Sequence, residues 1–147
     1  MDRKDEIKNE LLSHKDLIME EMMATDDSSA NNYFVTVTKW KDGDVSVEKT
    51  QRGSFRDSAQ YEQIAWEVEI PSVNVFEDYD LKSGMESIMG RDLSEKEFEK
   101  LLNSGEYNDD LNEDAISFFK ENFDFEQEAD EISEEYVQEN ENEIKKN

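Results

Sequence analysis

The sequence predicts an α+β domain: an N-terminal helix, a small antiparallel sheet of three or four strands, and acidic C-terminal helices. Three observations predict it. Apolar residues recur at helical spacing near the start, the period changes to two from Tyr33, and helical spacing returns after a capping signal at Ser94. A chain of 147 residues is expected to form one domain, here 1–137, followed by a flexible polar tail, 138–147.

Residues 2–24 read as one helix, because Ile7, Leu11, Ile18 and Met22 form a stripe that Leu12, Met19 and Met23 widen. His14 lies on the same side, between Leu11 and Ile18, and reads as a packed or edge histidine. Thr25 to Asn32 is polar and reads as a loop. Val35 and Val37 then alternate with Phe34, Thr36 and Thr38, and Val45 and Val47 with Ser46 and Glu48. The Asp42-Gly43 pair between them tolerates positive φ, so a β-hairpin is expected. A third strand is expected over Gln63 to Ile70, closed by Pro71, and a weaker fourth over Val73 to Phe76.

Ser94 and Glu97 have capping-box spacing, and Leu93 and Phe98 the spacing of a hydrophobic staple. A helix should therefore start after Ser94 and stop near Gly105. A last helical region begins around Asp109 or Asp110. Its seam Leu111, Ala115, Phe118, Phe125, Ala129, Ile132 and Tyr136 fits one long helix or two broken near Phe123-Asp124.

Charge carries most of the functional information. With 40 acidic and 16 basic residues the net is −24, and it is uneven. Residues 1–56 hold 9 basic and 12 acidic side chains, whereas 57–147 hold 7 and 28. Such a chain is repelled by nucleic acid, which is bound through Lys and Arg that replace phosphate counterions, and by anionic membrane surfaces. Cations, basic proteins and surfaces shaped to hold a polyanion remain as partners. No stretch reaches the ~18 apolar residues of a membrane span, and the first residues lack the apolar core of a signal peptide, so a cytoplasmic protein is expected.

Glu121, Asp124, Glu128, Glu131 and Glu135 repeat the 3-4 spacing one residue ahead of the apolar seam, and Asp114 extends the row. Like charges so spaced destabilise a helix by roughly 0.2–0.5 kcal/mol per pair, a cost that folding alone does not require. Leu101 to Ile144 holds 16 acidic residues against Lys120 alone. Fully helical, those 44 residues would span about 66 Å, or roughly 4.4 Å per net charge, near the ~3.4 Å per phosphate of one DNA strand. Further acids are placed by the loops and sheet: Glu67 and Glu69 on one strand face, Glu77, Asp78 and Asp80 after the weak fourth strand, and Asp109, Asp110 and Glu113 at the last helical region. The plainer reading of all of them is a solvated surface. Against it stand the interleaved aromatics Phe118, Phe119, Phe123, Phe125 and Tyr136, which a merely solubilising tail does not need. Twelve Lys against four Arg argue against adaptation to high salt.

No enzyme is expected. The chain has no phosphate-binding glycine loop, no dinucleotide fingerprint, no H-E-x-x-H and no cysteine. Asp42-Gly43-Asp44 and Asp109 to Asp114 lack the spacing of a Ca²⁺ loop, and one histidine cannot build a zinc site, so no metal and no cofactor are expected. Trp40 and Trp66 sit in strands and read as core or sheet-surface residues.

These readings converge on a non-catalytic inhibitor whose arranged carboxylates occupy the basic groove of a nucleic-acid-handling protein of the restriction, CRISPR, nuclease or polymerase type. In size, composition and the layout of charge across its C-terminal half, the chain resembles the DNA-mimic proteins of phages and mobile elements, which implies a counter-defence setting. The alternative is an intracellular adaptor, immunity protein or antitoxin that docks through the apolar seam. That seam would also permit a homodimer.

Overall fold

The computed structural model describes residues 2–53 and 58–146, with the backbone alone described over 141–146. Helix α1 (Arg3–Ser13) is opened by Asp2, whose carboxylate accepts from the Asp5 N–H at 2.9 Å. The single N-terminal helix expected from the apolar stripe is in fact two. His14 leaves helical geometry (φ −110°, ψ 19°) before α2 (Lys15–Met22) begins. The cause is local competition for carbonyls: Ser13 Oγ donates to Asn9 O at 2.8 Å, and His14 Nδ1 lies 2.9 Å from Glu10 O. The stripe survives the break, since Ile7, Leu11, Ile18 and Met22 are all buried.

Strand β1 (Met23–Ala24) follows, and part of the expected loop is a short helix, α3 (Asp27–Asn32). Asp26 nucleates it by accepting from the Ser28 N–H at 2.9 Å. The hairpin forms as its sequence specifies. Strands β2 (Tyr33–Trp40) and β3 (Val45–Gln51) pair antiparallel, Val37 opposite Val47, with Gly43 at φ +106° in the turn. After α4 (Ser58–Tyr61), strand β4 (Ile64–Pro71) joins the other side of β2, giving the order β3-β2-β4.

The weak fourth strand is displaced from this sheet. Strand β5 (Val73–Asn74) pairs parallel with β1 instead. Val75 N–H donates to Ala24 O at 2.9 Å, and the Asn74 side chain then accepts from the Phe76 N–H at 2.8 Å, which turns the chain away after two residues. A helix that the hydrophobic pattern did not announce, α5 (Leu81–Met89), comes next, capped by Asp80 and ended by Gly90 at φ +72°. Helix α6 (Glu95–Ser104) has the expected capping box, Ser94 Oγ accepting from the Glu97 N–H at 3.2 Å, and it stops at Gly105. The last helical region is two helices, α7 (Asn108–Asn122) and α8 (Phe125–Lys146). α8 runs through the segment expected as a tail, and Asn147 lies outside the described residues.

Among the described residues two apolar clusters hold these elements. In the larger, Val35, Val37, Val68 and Ile70 of the sheet pack with Ile7, Leu11 and Ile18 and with Phe125 and Ala129. In the smaller, Met85 of α5, Leu93 and Leu111 of α7 pack with Phe98 and Leu102 of α6. Tyr79 touches both clusters, and its hydroxyl donates to Asp114 at 2.5 Å.

Candidate functional site

Many of the acids serve the fold. Asp2, Asp26 and Asp80 cap helices, and backbone N–H bonds hold the Asp26 and Asp80 carboxyls below the usual range. Asp124 caps α8, accepting from the Gln127 N–H at 3.1 Å, and Asp114 anchors Tyr79. Burial and then that carboxylate push the Tyr79 hydroxyl far above its ordinary pKa.

On α8 the carboxylates divide into two rows flanking the buried positions Phe125, Ala129 and Ser133. One row meets α1. Lys4 reaches Asp130 at 3.4 Å and Glu134 at 3.8 Å, and Lys8 reaches Asp130 at 3.4 Å and Glu126 at 3.9 Å. The Lys4 ammonium, which donates to it, holds the Asp130 carboxyl below its usual range, with Lys8 adding to the effect.

The other row has no such neutralisation. Among the described residues, no basic side chain lies within ion-pairing distance of Glu128, Glu131, Glu135 or Glu139. Partial burial, followed by repulsion from Glu131 and Glu135, pushes the Glu128 carboxyl above its ordinary value. Glu135 and Glu139 also line a cleft of about 300 Å³ between α8 and β4, whose far wall carries Glu67 and Glu69 and whose floor includes Ile132 and Tyr136. Glu67 is partly buried and accepts from Thr38 Oγ1 at 3.3 Å, whereas Glu69 is exposed.

The structure thus brings three of the expected site residues, Glu67, Glu69 and Glu135, to one cleft, with Glu128 and Glu131 in the same row of α8 as Glu135. It adds Glu139, which the sequence reading assigned to the tail although it continues the row at i+4 from Glu135. The remaining candidates are apart from this face in role or element. Glu77 and Asp78 are exposed after β5, Asp109 and Asp110 occupy the first turn of α7, and Glu113 and Glu121 are exposed along α7. A continuous charged rod from Leu101 to Ile144 does not form. Gly105 ends α6, and Phe123 turns extended (ψ 122°), stacking on Phe119 at 4.8 Å, before Asp124 starts α8. In the seam Phe119 is buried while Phe118 is 37% exposed, resting edge-on against Tyr79.

Among the described residues no group of three or more His, Asp or Glu is disposed to hold a metal ion, and no helix is long and apolar enough to cross a membrane. No family model, curated protein or solved structure matches the chain.

Proposed function

We propose that this chain is a non-catalytic acidic inhibitor acting in the cytoplasm, one that presents carboxylates where nucleic acid presents phosphates and so blocks the basic groove of a nucleic-acid-handling protein. The observation that carries this reading is the row Glu128, Glu131, Glu135 and Glu139. Among the described residues it has no basic partner, although α1 neutralises the opposite flank of the same helix. From Glu128 to Glu139 the helix rises about 16 Å, a length that roughly five phosphates of one strand would occupy. Glu67 and Glu69 add a second line of charge across the cleft. Lys and Arg side chains that normally hold phosphates would pair with these carboxylates, and the net charge of −24 would steer the encounter at low salt.

A seam-docked adaptor is less well supported. Leu111, Ala115, Phe125 and Ala129, the residues it would use, are buried in the chain's own core. The likeness in composition to the DNA mimics of phages and mobile elements favours counter-defence against restriction or CRISPR systems as the setting.

The test is capture from host lysate with the tagged chain, eluted by a salt gradient, beside the variant Glu128→Lys/Glu131→Lys/Glu135→Lys. The reading predicts nucleic-acid enzymes that leave at moderate salt, are competed by duplex DNA and are absent from the variant's eluate. A partner indifferent to salt and to the variant would overturn it.

A further inference from the structure

A second cleft, separate from the acidic face and open to solvent, lies where the two apolar clusters meet, with a volume of about 750 Å³. One wall is formed by α3, β5 and the residues around them, the other by α5, α6 and the start of α7. Its polar groups are mainly neutral. Asn31, Asn108, Asn112, Thr25 and Ser72 line it together with Phe76 and the carboxylates Asp27 and Glu77, and among the described residues no Lys, Arg or His does. Asn108 and Asn112 stand four apart on α7, one turn above the other on the same face.

Three features make this more than a surface dent. Its volume falls within the usual range for small-ligand sites of roughly 300–1,000 Å³. The side chains of Asn31 and Asn108, which are exposed, and of Asn112, which is partly buried, make no hydrogen bond within the described chain and so are available to a ligand, in contrast to Asn74, which is committed to Asp27 and to the Phe76 N–H. Finally, the Ser72 hydroxyl is buried with no hydrogen-bond partner. Such a group costs stability wherever it is left unpaired.

The lining selects the ligand by chemistry. With no cation among the described lining residues, and with the carboxylates of Asp27 and Glu77 in the lining, the cleft disfavours phosphates and carboxylates. An amide both donates and accepts, so several amides and hydroxyls around one cleft match adjacent hydroxyl groups, which also do both. Phe76, with Leu81 and Leu111 beyond it, offers an apolar wall for the C–H face of a saturated ring.

We propose that this cleft binds a neutral ring bearing adjacent hydroxyl groups, the chemistry of an uncharged saccharide or of the ribose of an unphosphorylated nucleoside. The amides of Asn31, Asn108 and Asn112 hold the hydroxyls, and a rotamer change at Ser72 gives its hydroxyl a partner on the ligand. This site stands independently of the acidic face.

Ligand-observed NMR on the full chain tests it, with a panel of neutral mono- and disaccharides, unphosphorylated nucleosides and the phosphorylated counterpart of each. At least one neutral member should bind with little dependence on salt, and its phosphorylated form should bind about tenfold more weakly or worse. A saccharide hit and a nucleoside hit identify the two sources. Asn112→Ala and Ser72→Ala should each weaken binding by roughly tenfold while unfolding temperature stays level or rises, since neither side chain makes a hydrogen bond in the chain. Charge reversal of Glu128, Glu131 and Glu135 should leave binding intact, which separates failure here from failure of the inhibitor reading. Silence across the neutral panel, or binding unchanged in both cleft variants, would overturn the proposal.

Discussion

Lys4 Nζ lies 3.4 Å from Asp130 Oδ1, and this contact divides the acidic surface of α8 into a neutralised flank and an open one. Because Lys8 meets the same carboxylate, α1 is fixed along one side of α8, and the row from Glu128 to Glu139 lies on the other. The charge that faces away from α1 is the charge the proposed function assigns to a partner.

Replacing both Lys4 and Lys8 by Gln should lower the unfolding temperature slightly, by an amount that shrinks as salt is added. Asp130 has a depressed pKa in the fold, so its contribution is present above the unfolded carboxylate value and is lost as pH falls through the lower folded one. Thermal unfolding of wild type and variant at neutral and acid pH should show the difference disappearing in acid.

Glu128 should behave oppositely. Its carboxyl is raised by burial and by Glu131 and Glu135, so ionising it opposes folding above the raised value, and the penalty is absent below the unfolded one. Glu128→Gln should stabilise the chain by roughly 0.5 kcal/mol at neutral pH, the size of one or two exposed like-charge helical pairs. The gain should vanish in acid, as denaturant titration at the two pH values will show.

Gly84 is a packing requirement and not a matter of backbone freedom. A Cβ there would overlap the Tyr79 hydroxyl, so Gly84→Ala must displace the ring that joins the two apolar clusters. A loss of about 1–3 kcal/mol is expected from overpacking, and Tyr79→Phe, which strands the partly buried Asp114, should cost about 1.5–3 kcal/mol. Chemical denaturation of the two single variants measures both.

Ser94→Ala removes the cap of α6 and should cost about 0.5–2 kcal/mol in the same assay. Since α6 carries none of the open carboxylates, partner capture should be unchanged once the variant is folded.

Elements with their own local signals were legible in the sequence. The Asp42-Gly43 turn, the Ser94–Glu97 box and the stop at Gly105 are each written within four residues, and each forms as read. What was misread depended on competition or on distance. The break at His14 comes from side chains taking carbonyls inside an unbroken apolar stripe, and α5 is short with a glycine at its centre that only the Tyr79 contact explains. The departure of β5 needed knowledge of β1, fifty residues earlier in the chain. For the acidic face the row on α8 was visible as a 3-4 spacing, but its division by Lys4 and Lys8 was not. That division requires α1 and α8 to be neighbours, which periodicity within either helix does not encode.

The central claim is that the open row on α8 stands in for phosphates. Its most direct test is competition: a nucleic-acid enzyme captured by the chain is loaded with labelled duplex DNA and titrated with wild type or with Glu128→Lys/Glu131→Lys/Glu135→Lys. The account predicts that wild type displaces the DNA, less effectively as salt rises, and that the charge-reversed chain, still folded, does not. Displacement by both chains alike, or a ternary complex that keeps its DNA, would contradict it.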